Sequence, residues 1–175
     1  MKKALCITRN TLAVLSLLAL VVAASADAGD TLVRFKGGIG VIPTSRVDAG
    51  PPIVVSPNTV RGVNAAGQIW VIADLRANVK VDGRIRVDGR GLLLGGGNNI
   101  GGNANARVIA TLICEAAAPF VQHSTAPLGV ALDPDGDFRI DDVLTPAPPP
   151  VCASPVLLIR NAANLGWFAA GIPER

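Results

Sequence analysis

IWVIADLRANVKVDGRIRVDGRGLLL, running from Ile69 to Leu94, decides how the chain is read. In its first arm Ile69, Val71, Ala73, Leu75, Ala77 and Val79 fall on one side. Ile72, Asp74, Arg76, Asn78 and Lys80 fall on the other, the period-2 pattern of a half-buried strand. Beyond Asp82-Gly83 the alternation resumes, with Ile85 and Val87 set against Arg84, Arg86, Asp88 and Arg90. The stretch predicts a long antiparallel hairpin.

The two faces must agree across the turn, and this selects the loop. A two-residue Asp-Gly loop would oppose Val79 to Arg86, and a slip of one residue sends every side chain to the wrong face. A three-residue loop Val81-Asp82-Gly83, with Gly83 left-handed in a bulge, pairs Val79 with Ile85 and Ala77 with Val87. On the polar face it sets Arg76 opposite Asp88 and Asp74 opposite Arg90, pairs worth about 0.2–1 kcal/mol each.

The start of the chain reads as an export signal. Lys2, Lys3 and Arg9 precede an apolar run from Thr11 to Ala24, and Ala24-Ser25-Ala26 fits the small-x-small cleavage pattern. The expectation is a signal peptide over residues 1–26 and one β-rich domain over 27–175, released to the periplasm or the medium with no membrane span left. The apolar run is short for a span. Of 16 Lys and Arg, three leave with the signal, so 13 remain against 13 Asp and Glu. A neutral mature chain carries no electrostatic argument for nucleic acid. Cys6 also leaves, and Cys114 and Cys152 are expected to pair in an oxidising compartment.

Outward from the hairpin, short strand signals dominate. Thr31–Lys36 and Gly38–Ile42 read as strands ended by Pro43, and Ile53–Ser56 as an edge strand in a proline-rich stretch. Arg107–Cys114 is apolar on both faces, as a central strand would be. Phe120–Ser124, Leu128–Leu132, Val156–Arg160 and Gly166–Ala170 complete the set. Asp133-Pro-Asp-Gly-Asp137 repeats the three-residue loop design, and it predicts Leu132 opposite Phe138 and Val130 opposite Ile140. Pro146–Pro150 reads as an extended polyproline segment. No window after the signal keeps a helical period. The fold expected is an all-β, single-domain antiparallel β-sandwich, immunoglobulin-like or jelly-roll, with one disulfide.

Candidate chemistry is sparse. Gly95–Asn103 is glycine-rich but lacks the Lys and Ser/Thr of a phosphate cradle, so it reads as a mobile loop. His123 is the single histidine of the mature chain; it has no ligand-spaced partners, and Ser124 faces the opposite way, so a partly exposed strand histidine is expected. No G-x-S-x-G elbow occurs. Asp133, Asp135 and Asp137 form the calcium candidate, with Asp141 and Asp142 nearby, because calcium takes several hard oxygens. The match to an EF-hand loop fails at Gly136, one position early, and at Leu144 where Glu is required. Trp70 and Trp167 are expected in core or edge packing, with a sugar-stacking platform as the alternative. The arginines of the main hairpin are interleaved with aspartates, which predicts a solvated, mutually paired face.

The stretches DLRANVKVDGRIRVDGRGLLL (Asp74–Leu94), DGDFRIDDVL (Asp135–Leu144) and C-x-x-PVLLIRN (Cys152–Asn161) resemble small exported bacterial proteins with no assigned activity. The resemblance implies export and a β-rich fold. The function expected is therefore an exported, non-catalytic protein with a structural or protein-binding role, its partner a protein or glycan of the cell envelope. The alternatives are a calcium- or carbohydrate-binding module and a hydrolase built on two carboxylates. No cofactor is expected apart from calcium.

Overall fold

The structure is a computed structural model that describes residues 30–174. The expected signal segment and Cys6 lie outside the described residues. Thirteen strands make up the chain, with no helix among the described residues: β1 (Thr31–Gly40), β2 (Thr44–Asp48), β3 (Val54–Pro57), β4 (Trp70–Val71), β5 (Asp74–Lys80), β6 (Arg84–Arg90) and β7 (Leu93–Leu94) come first. They are followed by β8 (Arg107–Ile113), β9 (His123–Ser124), β10 (Val130–Ala131), β11 (Phe138–Val143), β12 (Val156–Asn161) and β13 (Trp167–Pro173). The chain is all-β, with antiparallel sheets and one disulfide.

β5 and β6 form the hairpin read from the sequence, in the expected register. Val79 pairs with Ile85, Ala77 with Val87, Arg76 with Asp88 and Asp74 with Arg90. Gly83 adopts φ +87°, the left-handed position that the three-residue loop requires. The alternation alone is not continuous to Ile69. Ile72 and Ala73 belong to no strand, and Trp70 is buried while Ile69 and Val71 are exposed. Ile69, Val71 and Ala73 therefore do not continue the core face of Leu75. The cause is long-range: β4 pairs with β7, and a Cβ on Gly40 of β1 would lie 2.1 Å from the Trp70 carbonyl oxygen. Only glycine lets these two backbones come so close.

The main sheet has nine strands in the order β10-β8-β12-β13-β1-β5-β6-β11, with β9 also paired to β8. The two expected strands at 31–42 are one strand, β1, which pairs through its first half with β5 and through its second with β13. β8 is central, as its two apolar faces imply, and Val108 through Ile113 are buried throughout. The ends of the sheet meet where Ser124 and Thr145 exchange backbone hydrogen bonds of 3.0 and 2.8 Å. Leu75, Val79, Ile85 and Val87 from one half and Val108, Leu112, Leu157 and Ile159 from the other share one core cluster.

The second hairpin keeps its turn but not its ladder. Asp133 N–H donates to the Asp137 carbonyl and Gly136 has φ +83°. The predicted pairs Leu132–Phe138 and Val130–Ile140 do not form: Val130 pairs with Val108 of β8, and Ile140 with Val87 of β6. Each arm finds a longer apolar partner elsewhere, and the Leu132 N–H donates to the Ala106 carbonyl instead. β2 was not foreseen in the proline-rich stretch; it pairs with β3 in a small exposed arm.

Candidate functional site

The residues singled out in the sequence do not converge. His123 is buried, not partly exposed, and its Nδ1–H donates to the Pro146 carbonyl at 2.8 Å. That bond anchors the start of the polyproline segment, while the buried Nε2 has no hydrogen-bond partner among the described residues. Ser124 lies on the opposite face, hydrogen-bonded to Thr111 Oγ1 at 2.9 Å.

Two carboxylates of the calcium candidate accept hydrogen bonds from the backbone. Asp135 Oδ1 accepts from the Asp137 N–H, and Asp137 Oδ1 accepts from the Gly91 N–H at 3.0 Å. Asp142 accepts from the N–H groups of Ala126 and Val143. Among the described residues no three His, Cys, Asp or Glu side chains group as metal ligands. Asp133 closes the turn through its backbone, its N–H donating to the Asp137 carbonyl.

Trp70 and Trp167 are both core residues. Trp70 stacks on Phe168 with centroids 3.9 Å apart, and Trp167 Nε1–H donates to the Asn58 carbonyl. Cys114 and Cys152 form the expected disulfide, with Cα atoms 4.6 Å apart.

What the fold assembles instead is a cleft of about 680 Å³ where four loops meet. Gln68 comes from the turn before β4, and Asn99 and Asn105 from the glycine-rich loop. Asn161 and Asn164 come from the β12–β13 turn, and Leu128 from the approach to β10. The edge of Trp70 and Phe168 close its apolar floor. The glycine-rich loop is tied down rather than running free: Gly101 N–H donates to Leu94 O, Leu94 N–H to Gly102 O, and Gly95 N–H to Ile69 O. The opposite wall is tied by side chains, with Asn161 Oδ1 accepting from Ala163 N–H and Asn164 Oδ1 from Gly166 N–H.

The chemistry of the lining is narrow. It holds no carboxylate, histidine, cysteine or hydroxyl side chain. Its one charged residue, Arg107, spends its guanidinium on the carbonyls of Leu128 and Gly129, at 2.8 and 2.6 Å. What remains toward the cleft is a set of amides, each able to donate and to accept. Carboxamides of this kind can hydrogen-bond neutral polar groups.

Nearby, Arg160 is buried with no carboxylate partner among the described residues. Its guanidinium donates to Leu165 O, Thr111 Oγ1 and Gln122 Oε1, and burial pushes its pKa below the usual arginine range. Arg160 holds the β12–β13 turn, where Leu165 adopts φ +63°. It is therefore a support for the Asn161–Asn164 wall rather than a ligand-facing group.

Asparagine-rich turns at 98–105 and 161–164 are visible in the sequence, but each reads as punctuation. Their convergence depends on the pairing of β12 with β8, Arg160 opposite Ile109, which no local pattern announces. Compared with protein-family models, curated proteins and solved structures, the chain matches none of them.

Proposed function

We propose that the chain is an exported, non-catalytic binding protein whose amide-lined cleft takes a neutral, hydroxyl-rich ligand of the carbohydrate class. The observation that carries the reading is the cleft itself: five side-chain amides over an apolar floor and no titratable carboxylate or histidine in the lining. A hydroxyl both donates and accepts, and so does a carboxamide, so the match needs no charge. The volume lies within the range of ligand pockets, about 300–1,000 Å³. Export follows from the expected signal over residues 1–26, and the disulfide agrees with an oxidising compartment, periplasm or medium. Among the described residues no helix is long and apolar enough to cross a membrane. The same reading takes the nine-stranded sheet, whose ends meet at Ser124 and Thr145, as the two facing halves of a sandwich around one core.

The test is a thermal-shift screen against neutral oligosaccharides, with calcium and EDTA as separate arms. A ligand at about 100 times its Kd stabilises the native state by about 2.7 kcal/mol and raises the Tm. The reading expects a saccharide-specific rise that Asn105→Ala removes, and no response to calcium. A rise with calcium that EDTA reverses, or no rise with any saccharide, would overturn it.

A further inference from the structure

The outer face of the main hairpin becomes something different once β1 is laid beside it. The register places Arg34 of β1 next to Asn78 of β5 and Asn78 next to Arg86 of β6. The following row sets Lys36 beside Arg76, and Arg76 beside Asp88. These side chains line a shallow groove of about 280 Å³, together with Glu174. Its lining therefore carries four cations, Arg34, Lys36, Arg76 and Arg86, against two carboxylates.

The carboxylates of this face are already shared. Asp88 is approached by both Arg86 and Arg139 at 3.6 Å, and Arg76 leans on Asp74 at 3.4 Å. Arg34 and Lys36 form no ion pair among the described residues. The hairpin already carries five cations against three aspartates, and β1 adds two more cations and brings no acid. Between Arg34 and Arg86 lies Asn78 Oδ1, a buried acceptor with no donor among the described residues.

We propose that this groove docks an acidic polysaccharide, a chain that bears carboxylates at intervals with hydroxyls between them. Three features select this occupant among polyanions. Arg34 and Arg86 stand two strand spacings apart, about 9.5 Å, with the uncharged Asn78 between them. Asp88 and Glu174 interrupt them, which repels a densely charged phosphate backbone more than a dilute one. The only aromatic residue in the lining, Phe35, is buried in the core, so no ring is offered for the base stacking that single-stranded nucleic acid uses. This groove shares no residue with the amide-lined cleft.

The experiment is a binding titration of the purified protein with polygalacturonate in which about half of the carboxyls are methyl-esterified, so that the charges are spaced along the chain. Dextran serves as the neutral control and a single-stranded RNA as the densely charged one. The Arg34→Gln/Lys36→Gln double variant is run in parallel, with Arg46→Gln on the β2–β3 arm as the distant-charge control. The proposal expects polygalacturonate to bind, with an affinity that falls as salt rises. The double variant should lose at least tenfold, Arg46→Gln should be unchanged, and dextran should not compete. Absence of binding, equal binding by the double variant, or tighter binding of RNA than of polygalacturonate would each overturn it.

Discussion

Val79 of β5 lies directly opposite Ile85 of β6, and both side chains are withdrawn from solvent into the core. That single pair fixes the register of the central hairpin, because only a loop of three residues brings the two apolar faces together. Gly83 supplies the left-handed backbone that closes it. Gly83→Ala should therefore cost about 1–2 kcal/mol, the penalty of a Cβ in that conformation. Urea denaturation measures it, and an unchanged midpoint would mean that the loop is not strained by a side chain.

The disulfide makes its own prediction. Cys114 and Cys152 are 38 residues apart, and the segment between β11 and β12 that leads to Cys152 has no ladder. Cross-linking chiefly restricts the unfolded chain, so Cys114→Ala/Cys152→Ala should lose about 2–4 kcal/mol. Comparing denaturation of the wild type with and without reductant gives an independent check, because the double variant should no longer respond to reductant.

Arg160 is the buried cation with the most to lose. Replacing it by Met removes its hydrogen bonds to the Leu165 carbonyl, Gln122 Oε1 and the buried Thr111 Oγ1, at a cost of about 1–3 kcal/mol. Arg160→Met should destabilise the protein by roughly that amount and loosen the Asn161–Asn164 turn. Amide exchange at Leu165, whose N–H donates to Asn161 O, should accelerate.

Acid sensitivity has a local source at Glu115. The Val121 N–H donates to its Oε2 at 3.1 Å, and that backbone bond holds its carboxyl below the ordinary value of 4.5. A carboxylate with a depressed pKa in the folded state stabilises at pH above the unfolded value, and the benefit disappears as pH falls through the folded one. The wild type should therefore lose more Tm than Glu115→Gln on acidification from pH 6 to below about 4. Parallel pH–Tm profiles for the two proteins would show the mutation to be irrelevant.

The parts of the fold that could be read in advance are those governed by local alternation. Val79 and Ile85 announce their own register, and the apolar faces of Val108–Ile113 announce a central strand. The face reversal between Trp70 and Leu75 could not be read, because it follows from β1 pressing Gly40 against the Trp70 carbonyl. The fate of Leu132 and Ile140 is similar: the turn between them is local, but their partners Ala106 and Val87 are distant in sequence. His123 read as a surface residue because the carbonyl that buries it, Pro146, sits 23 positions away. The cleft was the least legible feature. Gln68, Asn99, Asn105, Asn161 and Asn164 look like ordinary turn residues until β8 and β12 bring their loops together.

The most direct test of the amide-lined cleft is chemical-shift mapping of the side-chain NH2 signals during titration with a saccharide that raises the Tm. The account predicts that Gln68, Asn99, Asn105, Asn161 and Asn164 move together and saturate at one Kd, while Asn58 on the far side of the turn does not. Stationary cleft amides, or shifts confined to the Asp133–Asp142 turn, would contradict it.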